Sequence, residues 1–414
     1  MPGNPQARTG GDCNNLPCMS HGAPTASGAG GAPVGPVFQN LPPSPNPTAR
    51  PRLRTVVIAG LVTTGFLLSA AVLAVEFETG LGVQVTLLAG LFAALPLLVV
   101  VPTYLWLDRY EIEPAWLLAL AFAWGAICAP AGALFLNTGI QIAMRMAGAQ
   151  DPDVVTAVFG APLVEEGLKG FGVLLIVLLR RREFYGVVDG IVYAGMVGAG
   201  FAFSENILYL GREFVEYGQQ GLTELFILRC IIGPFAHPLF TAFTGIGLGL
   251  AVAVMRSAGS RVLVALGGFL LAALLHGIWN LSAATGHIIG AYVLFQIPLF
   301  LCFVALIVGL RYREGRLIRT YLSQYADAGW LSHQEVAMLS SLPARRQARV
   351  WANQQGGKSA VASMRAFQDA ASDLALLRAR MVRGSAERDA AAHERALLEG
   401  IVAHRRAFVG HFAY

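Results

Sequence analysis

Eight apolar runs, near residues 55–75, 82–107, 115–136, 155–179, 187–210, 226–255, 262–283 and 289–310, set what this chain can become. Each is long enough to cross ~30 Å of hydrocarbon as a helix rising ~1.5 Å per residue. The expected fold class is all-α, a polytopic transmembrane helix bundle of about eight spans. Composition agrees: of 414 residues, 55% are hydrophobic and only 13% charged, against ~25% charged in soluble domains. The third run could extend toward residue 144. The sixth is overlong and carries Pro234 and Pro238, which predicts a kink or a broken entry.

The flanks differ from this core. Residues 1–48 hold ten Pro and eight Gly with almost no apolar run, a composition that cannot offset ordering entropy. We expect a disordered tail over 1–54, a membrane domain over 55–310 and a helical cytoplasmic region over 311–414. In the last region Ser332 and Glu335 have the spacing of a capping box. After QQGGK, residues 359–408 read as two helices in a hairpin, and His333, His393, His404 and His411 read as solvated. Cys128, Cys230 and Cys302 lie singly in apolar spans and read as small core residues. Cys13 and Cys18 fall in a tail assigned to the reducing cytoplasm, where neither a disulfide nor a metal site is expected.

Charge gives the orientation. Residues 1–55 carry +3, residues 56–310 carry −5 and residues 311–414 carry +7, so basicity marks the flanks and lipid contact, with no nucleic-acid partner implied. Thirteen arginines, among them Arg50, Arg52, Arg54, Arg109, Arg180, Arg181 and Arg182, fall on one side of the spans. Arg145, Arg212 and Arg229 fall on the other. The bias implies a multi-pass protein of the cell membrane with both termini cytoplasmic.

Against that background, six ionisable groups sit where a bilayer should reject them: Glu165, Glu166 and Lys169 in EEGLK, Glu205 in FAFSEN, His237 in AHPLF and His276 in HGIWN. A charge at bilayer depth costs roughly 2.5–3.5 kcal/mol on insertion scales, so such groups face a protein interior and mark function. With the orientation above, Glu165 and Glu166 lie ~15 Å deep, Glu205 ~8 Å, His237 ~16 Å and His276 ~10 Å, all in the outer half of the bilayer. Four spans thus deliver their polar groups to one depth. Lys169 stands at i,i+4 from Glu165 and i,i+3 from Glu166, so its ammonium can pair with either carboxylate and leave the other as a base for water. His276 and Asn280 are i,i+4 on one face, and Asn206 follows Glu205 about 100° round the helix. Each group alone has a structural reading: a polar clamp, a core histidine, interhelical glue, a snorkelling carboxylate. Asp189 reads as a cap or a partner of Arg180–Arg182.

EEGLK, FAFSEN, AHPLF and HGIWN, in this order on successive spans, resemble the motifs of the PrsW family of intramembrane metalloproteases, within a superfamily that includes CAAX prenyl endopeptidases. The resemblance covers roughly residues 155–285. It implies that Glu165, Glu166, Lys169, Glu205, Asn206, His276 and Asn280 belong to the catalytic machinery, with His237 as the first intramembrane histidine. It also implies a membrane-anchored protein substrate, such as an anti-sigma factor. The prenyl endopeptidases have His where this chain has Glu205, so prenyl-cysteine specificity does not carry over. HExxH is absent, and zincin ligand geometry does not carry over either.

The reading that results is an endopeptidase of the membrane, working near the outer leaflet. Glu165 or Glu166 activates water, and His237, His276 and Glu205 hold a divalent metal, possible identity zinc, or polarise the carbonyl. A metal-free version, Glu as base with His and Asn as oxyanion hole, uses the same residues. The rival class is a transporter or channel with the same groups as a cation or proton site.

Overall fold

Helix formation accounts for nearly everything in the computed structural model, which describes residues 53–107, 110, 113–180, 184–386 and 389–409. No strand occurs among the described residues, as an all-α chain requires. The chain divides into two units, Met1–Val56 and Val57–Tyr414, and the second holds the helix bundle and its polar cluster. The expected tail (save residues 53–54), Cys13, Cys18, Arg50, Arg52, Arg109, Arg181, Arg182 and His411 lie outside the described residues.

The first helices are α1 (Leu53–Gly80), α2 (Val83–Ala94), α3 (Leu97–Leu107) and α4 (Ala115–Ala123). A π-helical segment, Trp124–Cys128, joins α4 to α5 (Ala129–Met146). The short α6 (Pro152–Val155) and a second π segment, Thr156–Gly160, lead into α7 (Ala161–Leu179). Next come α8 (Val187–Phe226), a third π segment at Ile227–Ile232, and α9 (Ala236–Ala253). Then follow α10 (Ala258–Ala284), α11 (Ile288–Ala291), a fourth π segment at Tyr292–Gln296, and α12 (Ile297–Asp327). The chain closes with α13 (His333–Leu339), α14 (Leu342–Arg383) and α15 (Ala390–Val409).

By length and apolarity five described helical runs can cross a membrane, or six if α2 and α3, bent by 41°, form one broken span. The expectation of about eight differs from this in two places. α7 carries three charges, Glu165, Glu166 and Lys169, in nineteen residues and so falls short as an apolar run. Residues 187–253 count once although the chain turns inside them, at Gly218 with φ 66°, a conformation glycine adopts without a Cβ penalty. The expected broken entry of the sixth run is present. The π turn at Ile227–Ile232 ends at Gly233, and α9 starts only at Ala236, beyond Pro234.

Local chemistry explains the other boundaries. Asp189 Oδ2 accepts the backbone N–H of Gly186 at 2.9 Å and that of Tyr185, capping α8. Ser332 and Glu335 form the reciprocal capping box of α13. α14 breaks at Gly356 and Gly357, within QQGGK, and ends at Gly384 in the left-handed region before the hairpin to α15. Cys230 is buried and Cys128 half-buried, whereas Cys302, expected in the core, lies on the exposed side of α12.

Two packing features place the site. α8 and α9 meet backbone to backbone: a Cβ on Gly190 would lie 2.1 Å from the Gly245 carbonyl oxygen, and one on Gly198 would lie 2.7 Å from Pro238 Cα and 2.9 Å from the His237 oxygen. Small residues are what let membrane helices approach this closely. The bundle core is apolar, with Val173, Ile191, Tyr193, Val197, Leu239 and Ala242 fully buried. The C-terminal helices have their own core around Phe367, Ala371 and Leu374, joined by Tyr110 from the α3–α4 connection. Tyr110 donates its hydroxyl to Ser340 O at 3.2 Å and accepts from buried Arg345 through its own carbonyl at 2.9 Å. α12 is continuous across residues 310 and 311, so the expected boundary there is one of composition and not of backbone.

Candidate active site

EEGLK occupies the middle of α7, and its helical spacing turns Glu165, Glu166 and Lys169 inward, all three buried. Lys169 Nζ donates to Glu166 Oε1 at 2.8 Å and lies 3.8 Å from Glu165 Oε2. It also lies 3.2 Å from His237 Nδ1 and 3.8 Å from the centre of the Phe201 ring. An ammonium only donates, so His237 Nδ1 accepts and the ring proton sits on Nε2. That Nε2 faces Glu205 Oε2 at 2.7 Å.

Glu166 is saturated. Besides Lys169 it takes His276 Nδ1 at 3.0 Å on Oε1 and the Thr241 hydroxyl at 2.9 Å on Oε2. Donation from Nδ1 leaves the Nε2 lone pair of His276 toward Glu165 Oε2, 3.8 Å away. Glu165 itself is held on Oε1 by Asn137 Nδ2 at 3.3 Å, while Oε2 has no hydrogen-bond partner among the described residues. Glu205 carries a second anchor: Arg229 donates to it at 2.5 Å and to Asn206 Oδ1 at 2.8 Å.

The structure therefore brings Glu165, Glu166, Lys169, Glu205, His237 and His276 into one cluster. It places the two asparagines apart from its centre. Asn206 turns to Arg229 and, through Nδ2, to Cys230 Sγ at 3.7 Å. Asn280 donates to Ala157 O at 2.9 Å, in the π segment ahead of α7. A π turn loosens the helical ladder, and the carbonyls it frees accept side-chain donors. Ser204 does the same for Ala126 O in the first π segment, at 2.5 Å.

Three groups of the site are not evident from sequence. Arg229 counts there as a cation at the edge of the sixth span, yet it enters the bundle to pair with Glu205. Thr241 sits one helical turn after His237, a spacing that could flag it. Asn137 is a polar interruption of an apolar run, LFLNTG, and is the available signal for a third wall.

Glu165, His237 and His276 each offer one ligand atom, and these atoms lie within 4.8 Å of one another. The set differs from the expected His237, His276 and Glu205 because Glu205 is drawn to Arg229 and His237. One carboxylate and two imidazoles are chemistry suited to a divalent ion. Charge balance points the same way: among the described residues three carboxylates face two cations, Lys169 and Arg229, and the oxygen that accepts no hydrogen bond is Glu165 Oε2. A cavity of about 210 Å³ between α5 and α8 is lined in part by Glu165. A smaller one of about 20 Å³ borders His237, Asn206 and Arg229.

Residues 113–307, which contain the whole cluster, match the family model described as PrsW family intramembrane metalloprotease. Protease PrsW of Oceanobacillus iheyensis is 34% identical over 192 residues, 46% of this chain and 80% of that protein. Protease PrsW of Geobacillus kaustophilus is 31% identical over 191 residues, 45% and 77% of the two chains. Protease PrsW of Bacillus subtilis is 28% identical over 144 residues, 35% and 60%. No solved structure matches the chain.

Proposed function

The chain belongs to the PrsW family of intramembrane metalloproteases, and from that premise we propose that Glu165 performs the water-activating step of peptide-bond hydrolysis. The protein is an intramembrane endopeptidase whose substrate is a protein in a membrane, and the transporter reading is not favoured.

One contrast supports the assignment. Glu166 has both oxygens hydrogen-bonded by Lys169, His276 and Thr241, whereas Glu165 Oε2 accepts no hydrogen bond among the described residues and the Glu165 side chain lines the larger cavity. A general base needs an atom within ~2.6–3.2 Å of the proton it takes. Of the pair, Glu165 alone has one to offer. Oε2 accepts the proton as the water oxygen attacks the scissile carbonyl carbon, and returns it to the amine when the C–N bond breaks. The Nε2 lone pair of His276 accepts the second water hydrogen and fixes its orientation. Lys169 donates to Glu166, and Glu166, accepting from His276 Nδ1, holds that ring in the tautomer this requires.

A divalent ion such as zinc would instead take Glu165, His237 and His276 as ligands, where it would acidify water and polarise the carbonyl, and Glu165 would then serve as ligand in place of free base. His237 is bonded at both nitrogens, so ligation there asks Lys169 or Glu205 to give way. The experiment is elemental analysis of the purified chain together with cleavage of a single-span reporter by Glu165→Gln, Glu166→Gln and His276→Ala. Glu165→Gln should lose at least ~100-fold in rate. Full activity in that variant ends the assignment. Bound metal lost from His276→Ala supports the ligand set, and metal-free protein that still cleaves leaves Glu165 as base alone.

Arginine bias supports a cell-membrane topology with both termini cytoplasmic and the cluster in the outer half of the bilayer. Cysteines introduced at residues 148 and 358 should then react with impermeant reagents from opposite sides. The substrate class implied by the family motifs is a membrane-anchored regulator such as an anti-sigma factor. Residues 311–414 serve as an accessory cytoplasmic region, tested by deleting 320–414 and assaying the reporter.

A further inference from the structure

The cavity beside Glu165 has two walls built alike. On α5 it is lined by Pro130, Ala133, Leu134, Asn137, Thr138 and Gln141, a strip at i, i+3, i+4, i+7, i+8 and i+11. On α8 it is lined by Phe201, Glu205, Leu208, Tyr209 and Arg212, at i, i+4, i+7, i+8 and i+11. Such intervals select one helical face. The α5 strip grades from apolar at Pro130–Leu134 to polar at Asn137–Gln141, so one end suits an apolar side chain and the other a polar main chain.

Two further atoms give the occupant's chemistry. Asn137 Oδ1 and Thr156 Oγ1 are buried, have no hydrogen-bond partner among the described residues, and belong to side chains that line this cavity. Glu165 accepts from the Asn137 amide nitrogen, which fixes the carbonyl oxygen of that side chain as the spare acceptor. Buried acceptors left over at a cavity call for N–H donors, since each unmade bond costs free energy. An extended main chain supplies them, since each of its non-proline residues carries an N–H that makes no bond within a helix.

We propose that this cavity is the subsite for the substrate's main chain. It receives an extended stretch of a membrane-anchored substrate's main chain, with its N–H groups donated to Asn137 Oδ1 and Thr156 Oγ1 and an apolar side chain against Pro130, Ala133 and Leu134. The proposal rests on the reading that Glu165 activates water, because the subsite is defined by its distance from that carboxylate.

The test uses the full-length Glu165→Gln protein in detergent and a capped Ala/Leu-rich octapeptide carrying a photoreactive group. A series of analogues replaces one amide N–H at a time by an ester oxygen. One ester position should weaken binding by about twofold to tenfold, the range of a single hydrogen bond. The same ester should have no further effect in Asn137→Ala, and a neighbouring position should lose its effect in Thr156→Val. Photolabelling should fall on α5 and α8. Effects that multiply independently in every pair, labelling elsewhere, or a cavity that admits water only would overturn the subsite. Should Asn137→Ala fail to fold, Thr156→Val in the π segment ahead of α7 carries the same comparison. Reporter cleavage separates the two readings: a hydrolytically active Glu165→Gln protein with ester coupling at Asn137 removes the base and keeps the subsite, and an inactive one without coupling does the reverse.

Discussion

Glu205 on α8 and His237 on α9 lie 2.7 Å apart, Oε2 to Nε2, on two helices whose backbones touch. The contact joins the metal-capable histidine to a carboxylate that is itself held by Arg229. Partners of this outer kind set the orientation and basicity of an imidazole.

Arg229 should therefore act at a distance. Arg229→Met leaves Glu205 and Asn206 without their common donor, and hydrolysis of the single-span reporter should fall about 10–100-fold. Arg229→Lys should restore only part of it, because an ammonium cannot present the planar fork that reaches Glu205 and Asn206 together. Steady-state rates of the two variants check this, and equal rates in both would refute it.

Thr241→Val keeps the shape of the side chain but removes the donor to Glu166 Oε2. A buried carboxylate oxygen without its partner costs about 1–3 kcal/mol. The thermal midpoint should drop by several degrees, while the reporter rate falls less than in Glu165→Gln.

Gly198→Val drives a side chain into Pro238 Cα and the His237 carbonyl. Overpacking costs typically 1–3 kcal/mol, and here the neighbour is backbone that cannot rotate away. Loss of activity with a shifted His237 resonance in NMR is expected. Gly139→Ala, where nothing lies within 4 Å, should leave both unchanged.

The C-terminal helices should respond to pH through Asp373 on α14. Burial pushes its carboxyl up to about 7, with repulsion from Asp369 and Asp189 adding to it and Arg345 opposing it. An acid whose folded value lies above its unfolded one, ~3.9, favours the fold while protonated. That stability is fully present below about pH 4 and is lost as pH rises to about 7. Asp373→Asn should thus raise the unfolding midpoint at pH 8 and leave it unchanged near pH 4. A constant difference across that range would contradict the account.

How much of the molecule is legible in its sequence depends on range. Within one helix, spacing is enough: Glu166 and Lys169 pair at i,i+3 as their positions require, and Ser332 with Glu335 caps α13. Between helices, apolarity gives only a depth, and depth alone brings Glu165, Glu205, His237 and His276 together. It cannot say which atom meets which. Arg229 reads as a charge at the edge of the sixth span because nothing local shows that its chain turns back at Gly218. Asn280 shares a face with His276, yet a π turn at Thr156–Gly160 exposes Ala157 O and takes its amide. Inserted residues of that kind leave no mark in hydropathy.

Where main chain touches main chain, as at Gly190 and Gly245, there is no side chain to repack, and the interval from Glu205 to His237 is fixed by the helices themselves. The α5 wall has no such rigidity, because its strip from Pro130 to Gln141 meets the cavity through side chains. Under the proposed subsite, substitutions along that face other than at Asn137, which holds Glu165, alter which proteins are cut while the cutting apparatus keeps its spacing.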